Sequence, residues 1–189
     1  FMCGRYYVDL SDPEFFKIAE RFLDEENSIP IKLDGEIFPS DTVPVQTAPE
    51  IYLPMSWGFT SFNKRLVINA RSETALEKPM FKEAMLERRC LIPASGYYEW
   101  ETVNGKKQRY AFYEENALLF LAGCYRKEKD EDLFRFVILT RDASDHFRYV
   151  HDRMPVIIPR SKTEDWLLEG PDAMEDAFTD PMFQKVLGS

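Results

Sequence analysis

The sequence is poor in the residues that build disulfide and metal sites: of 189 residues, three are Cys (Cys3, Cys90, Cys124) and two are His (His146, His151). An odd cysteine count in a chain of this size is no disulfide framework and points to a reducing compartment. Neither His stands at ligand spacing from a Cys and no Cys-x-x-Cys occurs, so no metal and no cofactor is expected. Apolar runs are short too. None approaches the ~20 residues that span a bilayer, and no charged start with an apolar stretch marks a secretory signal. A cytoplasmic protein without a membrane partner is expected. No Gly- or Ser-rich linker and no repeat divides the chain, which predicts one domain over residues 3–189. Phe1 precedes Met2, and this reads as an added residue ahead of the initiator. Basic charge is scarce as well: Lys and Arg number 24 against 33 acidic residues, a net −9. At face value that argues against a nucleic-acid ligand.

What is present is a core: 44% of residues are apolar and 14% aromatic. Ser11-x-x-Glu14 reads as a capping box opening a helix over Phe15 to Leu23, with Pro13 in its first turn. The acidic run 24–28 reads as a solvated loop. Pro30, Pro39, Pro44, Pro49 and Pro54 predict an irregular extended stretch holding short strands at most. Leu66 to Ile68 predicts a short strand and Pro79 to Arg89 a second helix. Five β-rich runs follow, at 90–92, 97–100, 109–113, 118–124 and 133–140, with Asn104-Gly105 as a two-residue hairpin signal. Residues 145–150 predict a helical turn, Val156 to Ile158 a strand, and Ser161-x-x-Glu164 a second capping box. The fold class expected is α+β around a mainly antiparallel sheet.

Several residues carry chemistry, each with a plainer reading beside it. Cys3, once N-terminal, offers a thiol and an α-amine that titrates near ~7.7–8.0, so part of it is a neutral nucleophile at physiological pH. With an aldehyde it forms a Schiff base that the thiolate closes to a thiazolidine; the plainer reading is a small buried hydrophobe. Asn69 and Arg71 leave a strand end together, where Arg71 suits a phosphate clamp, or they form an ordinary polar loop with Arg71 paired to Glu73. Glu99 between Tyr98 and Trp100 is either an exposed member of an alternating strand or a buried acid with a raised pKa. His151 suits proton transfer near neutrality, and Arg153 beside it can reach a phosphate. Trp57 is a base-stacking platform or a core residue.

In their order and spacing, Cys3-Gly4-Arg5-Tyr6, Trp57-Gly58, Asn69-Ala70-Arg71-Ser72-Glu73, Arg89 to Trp100, Ala122-Gly123 and His151-Asp152-Arg153-Met154-Pro155 resemble the SOS response-associated peptidase (SRAP) family of abasic-site processing proteins. The resemblance runs from Cys3 to about Pro159. It implies an open, barrel-like core with flanking helices, and a monomer that binds single-stranded DNA and joins an abasic-site aldehyde to the N-terminal Cys as a thiazolidine. By that resemblance Cys3 is the nucleophile, Asn69 positions it or the opened sugar, and Glu99 and His151 move protons. Arg5, Arg71 and Arg153 are implied phosphate contacts and Trp57 a stacking or wedging residue. Where family members often carry Arg after Pro-x-Phe, this chain has Lys82, which the resemblance makes the phosphate contact at that position, or the contact is absent; as a point charge it cannot clamp bidentately. The family name records an autopeptidase step that exposes the Cys. A cysteine peptidase acting on other proteins and a non-catalytic single-stranded DNA-binding module are the alternative functions.

The negative charge is unevenly spread. Residues 11–36 carry net −5 and residues 160–189 net −4, whereas residues 37–109 carry +2. A net-acidic chain therefore leaves room for a local basic groove.

Overall fold

The computed structural model describes residues 3–23, 29–171 and 178–187; Phe1-Met2 and the expected loop at 24–28 lie outside the described residues. The elements run β1 Tyr6–Val8, α1 Pro13–Leu23, β2 Gly35–Ile37, β3 Thr42–Ala48, β4 Ile51–Trp57, β5 Phe59–Thr60, β6 Leu66–Val67, β7 Asn69–Arg71, α2 Pro79–Glu87 and β8 Arg89–Ala94. They continue with β9 Gly96–Val103, β10 Lys106–Tyr113, β11 Leu119–Lys127, β12 Phe134–Asp142, β13 Arg153–Pro155, a 3-10 turn Arg160–Lys162, α3 Thr163–Leu168 and β14 Phe183–Leu187.

Strands β11, β8, β3, β4 and β12 pair in that order, and β11 also pairs with β12, so the ring closes into a small barrel. Only the β12–β4 and β12–β7 pairings are parallel among the described strands. A second sheet, in the order β14-β10-β9-β1-β2, is wholly antiparallel. Residues of both sheets fill the core, among them Val45, Met55, Leu91 and Phe136 of the barrel and Tyr6, Tyr97 and Phe112 of the second sheet.

The proline-rich stretch departs from expectation, because β3 and β4 are full seven-residue strands. Pro44 stands directly opposite Pro54. Opposed residues of an antiparallel pair exchange either both N–H···O bonds or neither, so two facing prolines occupy a site where no donor is needed. The helix start also differs in detail. The Glu14 N–H donates to Asp12 Oδ1 at 2.9 Å, so Asp12 caps α1. Ser11 turns its hydroxyl to Asp9, and the Glu14 carboxylate holds Arg160. The second expected capping box is absent too: a 3-10 turn precedes α3, and neither has a side-chain cap. Asn69 to Arg71, read as leaving the end of a strand at 66–68 or as an ordinary polar loop, themselves form a strand, β7, along β12. The strand expected at 156–158 is shifted to β13, while Val156 and Ile158 donate singly to Leu139 and Phe120.

The hairpin signal at Asn104-Gly105 holds, with φ of 49° and 75° at the two positions joining β9 to β10. Gly96, at the start of β9, is required for another reason. A Cβ there would lie 2.4 Å from the Tyr7 hydroxyl and 2.6 Å from the Phe112 carbonyl oxygen. Tyr7 can swing away but the backbone oxygen cannot, so Gly96→Ala is expected to cost about 1–3 kcal/mol by overpacking. Thermal unfolding of the variant checks this; an unchanged midpoint would contradict it.

Candidate active site

The pairing of β1 with β9 brings the first described residues against residues 98–100, almost a hundred positions away. Tyr98 N–H donates to the Arg5 carbonyl at 3.0 Å, and Cys3 N–H donates to Glu99 Oε1 at 2.6 Å. Cys3 has φ of +40°, the left-handed region that non-glycine residues enter at a cost of about 1–2 kcal/mol. The contact with Glu99 is one interaction that holds it there.

Glu99 is 3% exposed, and burial pushes its carboxyl up to about 7 even though the Cys3 and Trp100 N–H groups favour the anion. Near neutrality both protonation states are therefore populated, which suits a group that must accept and return a proton. The Cys3 thiol is fully buried, and burial together with the neighbouring Glu99 charge raises its pKa well above the ordinary thiol value. It rests as the protonated thiol. His151 is half-buried, and burial lowers its pKa, with Asp152 partly opposing. The neutral ring accepts the Arg153 N–H on Nδ1 at 3.1 Å, which assigns its proton to Nε2. Asp152 Oδ1 also stands 3.0 Å from Nδ1, a contact that is attractive only when the ring is protonated and that solvent screens because the carboxylate is exposed.

Glu99 and His151 line one cleft of about 560 Å³, together with Gly4, Arg5, Phe38, Pro39, Ile68, Trp100 and Lys107. The Arg5 guanidinium lies 4.5 Å from the Phe38 ring and 5.1 Å from the Trp100 ring. Asn69 follows Ile68, with its Nδ2 3.4 Å from the Ile138 carbonyl oxygen. Arg71, two residues on, is exposed, and its guanidinium makes no hydrogen bond or ion pair among the described residues. Among those residues no group of three or more His, Cys, Asp or Glu is placed to hold a metal ion, and no helix is long and apolar enough to cross a membrane.

Three expected contact residues are placed otherwise. Trp57 has no exposed surface: its ring lies 5.4 Å from that of Tyr6 and 6.2 Å from that of Phe136, and Nε1–H donates to the Ile68 carbonyl at 3.0 Å. It braces the cleft wall from behind and has no face to offer a base. Arg153 is buried, and its two terminal nitrogens donate to both Glu73 oxygens, to Asp142 and to the Thr140 carbonyl, so neither is left for a phosphate. Glu73 pairs with Arg153 and leaves Arg71 free. Lys82 is exposed on α2 and is not among the residues that line the cleft.

Phe38, Pro39, Trp100 and Lys107 line the cleft without having been singled out. Trp100 was readable, because strand alternation sends it to the face opposite an inward Glu99; Phe38 was obscured by the proline-rich stretch. Phe62, between β5 and β6 and close in sequence to Lys64 and Arg65, is completely exposed.

A family model described as "SOS response associated peptidase (SRAP)" matches residues 2–187. The abasic site processing protein YoaM of Bacillus subtilis (strain 168) is 35% identical over 106 residues, 53% of this chain and 47% of its own length. The abasic site processing protein YoqW of the same organism is 32% identical over 187 residues, 88% of this chain and 80% of its own. The chain thus spans about half the length of the first and four-fifths of the second. A crystal structure of a protein from Bordetella bronchiseptica superposes with a TM-score of 0.79 at 22% identity, covering 99% of this chain and 100% of that one, a likeness of fold.

Proposed function

This chain belongs to the SOS response associated peptidase family, and from that premise we propose that it processes abasic sites in single-stranded DNA by bonding them covalently to Cys3. The observation that carries the reading is the 2.6 Å contact between the Cys3 nitrogen and Glu99 beside a cleft holding Arg5 and Lys107. With Cys3 N-terminal, the same nitrogen is an α-amine. Glu99 takes the ammonium proton, the freed amine adds to the sugar aldehyde, and Glu99 returns the proton to the carbinolamine hydroxyl, which leaves as water. The thiol then adds to the imine carbon while its proton passes to the nitrogen. Amine, thiol and aldehyde become a thiazolidine and one water. His151, with its proton on Nε2, donates to the opened sugar, and Arg71 and Arg5 meet the phosphates flanking it.

With Met2 still attached, the Cys3 nitrogen is an amide and cannot add to an aldehyde. In autoproteolysis, water adds to the Met2 carbonyl carbon, Glu99 gives a proton to the Cys3 nitrogen as the Met2–Cys3 bond breaks, and the Met2 side departs as a carboxylic acid. The high thiol pKa, and the absence of any Cys3–His151 hydrogen bond among the described residues, favour this amine route over a thiolate peptidase acting on other proteins. Intact-mass measurement after incubation with abasic single-stranded DNA tests the reading. Protein beginning at Cys3 gains the oligonucleotide mass less one water, and protein retaining Phe1-Met2 gains nothing. No adduct from the Cys3-initiated form would sink the proposal.

Base stacking passes from the buried Trp57 to the exposed Phe62. Phe62→Ala is expected to weaken single-strand binding by about 1–3 kcal/mol, the worth of one stacked base. Titration of undamaged oligonucleotide checks it, and equal affinity would remove Phe62 from the interface.

A further inference from the structure

The five-stranded sheet has a second face, pointing away from the core. Register places Tyr98 and Trp100 of β9 on it beside Ala111 and Arg109 of β10, with Lys107 opposite Thr102 and Lys185 of β14 opposite Ala111. Tyr7 stacks on Tyr98 with ring centroids 4.9 Å apart, and the Arg109 guanidinium lies 4.8 Å from the same ring. Arg5 is held in the same manner between Phe38 and Trp100. Stacking on these rings fixes the direction of both guanidiniums and leaves their N–H edges for hydrogen bonding. Those edges share one carboxylate: Glu36 lies 2.5 Å from Arg109 and 3.7 Å from Arg5. With Lys107 and Lys185 exposed, the strip keeps a positive surplus on a chain of net −9. Asp9, which acts on Tyr7, closes the strip at the β1 end. At the other end the strip is continuous with the cleft, since Arg5, Trp100 and Lys107 line both.

From these observations we infer that the outer face of this sheet is a track for the phosphodiester backbone of the single strand leaving the cleft, with Lys107, Arg109 and Lys185 as successive phosphate contacts. The inference rests on the proposed DNA reading and extends it to nucleotides beyond the lesion. A pre-aimed guanidinium and lysines across two adjacent strands bind a polyanion without reading its sequence.

The test is fluorescence anisotropy with labelled undamaged oligothymidylates of 5 and 20 nucleotides over a range of salt. Each phosphate neutralised on a single strand contributes about 0.7 to the log–log salt slope. Lys107→Gln/Arg109→Gln/Lys185→Gln should therefore flatten the 20-mer slope by about 2. Lys17→Gln/Lys129→Gln, which removes charge elsewhere, should keep the parental slope. If the triple variant fails to fold, Lys185→Glu on the exposed edge strand carries the test with a loss of at least ~0.7 in slope. A parental slope in the folded variants overturns the track, as does a parent that binds 5-mer and 20-mer with the same slope. Displacement by polyglutamate as readily as by oligothymidylate also overturns it and assigns the face to acidic protein. The two readings separate cleanly: failure of a Cys3-initiated parent to form an adduct with a 5-mer abasic oligonucleotide sinks the crosslinking proposal, while the slopes judge the track independently.

Discussion

Glu99→Gln in a Cys3-initiated protein should slow adduct formation by roughly 10²–10⁴-fold, the usual worth of a positioned acid–base group. The amide keeps the size of the carboxyl and can still accept from the Cys3 nitrogen, so the loss isolates proton transfer. Quenched time courses of adduct formation check it, and a rate within threefold of the parent would remove Glu99 from the chemistry. Made instead in the chain that retains Phe1-Met2, where the Cys3 nitrogen is an uncharged amide, the same substitution should alter stability in the opposite direction. Burial raises the folded-state pKa of Glu99 from 4.5 to about 7, so between those values the folded chain holds a proton that the unfolded chain has released. Stability contributed at this site is therefore full below about pH 4.5, declines as pH rises to about 7, and is flat above. The full shift corresponds to about 3 kcal/mol. Gln has no proton to lose, so Glu99→Gln should be more stable than the parent at pH 8, with the advantage gone near pH 4.5. Denaturant unfolding at both pH values reads it directly. A reactive site held at the expense of stability is a common compromise.

Trp57→Ala is expected to cost about 3–5 kcal/mol, the range for deleting a fully buried large aromatic side chain. The ring also supplies the indole donor to Ile68 and two aromatic contacts, so the cleft wall loses its backing along with the core. Trp57→Phe separates bracing from stacking. It keeps most of the packing, loses about 1 kcal/mol with the hydrogen bond, and should leave DNA affinity unchanged per folded molecule. A selective loss of affinity in Trp57→Phe, with stability intact, would restore Trp57 to the interface.

The contrast between Trp57 and Cys3 shows what could be read in the sequence. Cys3, Glu99 and His151 were read from motifs whose residue types suit proton transfer and nucleophilic attack, and β1–β9 pairing brings Cys3 to Glu99 beside the cleft that His151 helps to line. Asn104-Gly105 was equally legible, because two consecutive positive φ angles demand such residues. Trp57-Gly58 was not: an aromatic beside a glycine does not reveal which side of its strand meets the core. Arg153 was opaque for a related reason. Its partners Glu73 and Asp142 lie 80 and 11 positions away and become neighbours only when β12 lies between β7 and β13. The paired prolines of β3 and β4 were misread because each was judged alone, whereas their tolerance depends on standing opposite each other.

The nitrogen of Cys3 and the carboxylate that serves it are 96 positions apart and meet only through a strand pairing of high contact order. A chain emerging from synthesis has Cys3 exposed long before Glu99 exists, and a partly folded chain has both without their contact. Under the function proposed above, maturation of the amino terminus is thereby tied to completion of the sheet: only a molecule folded far enough to bring Cys3 to Glu99 would acquire the amine that bonds to the lesion.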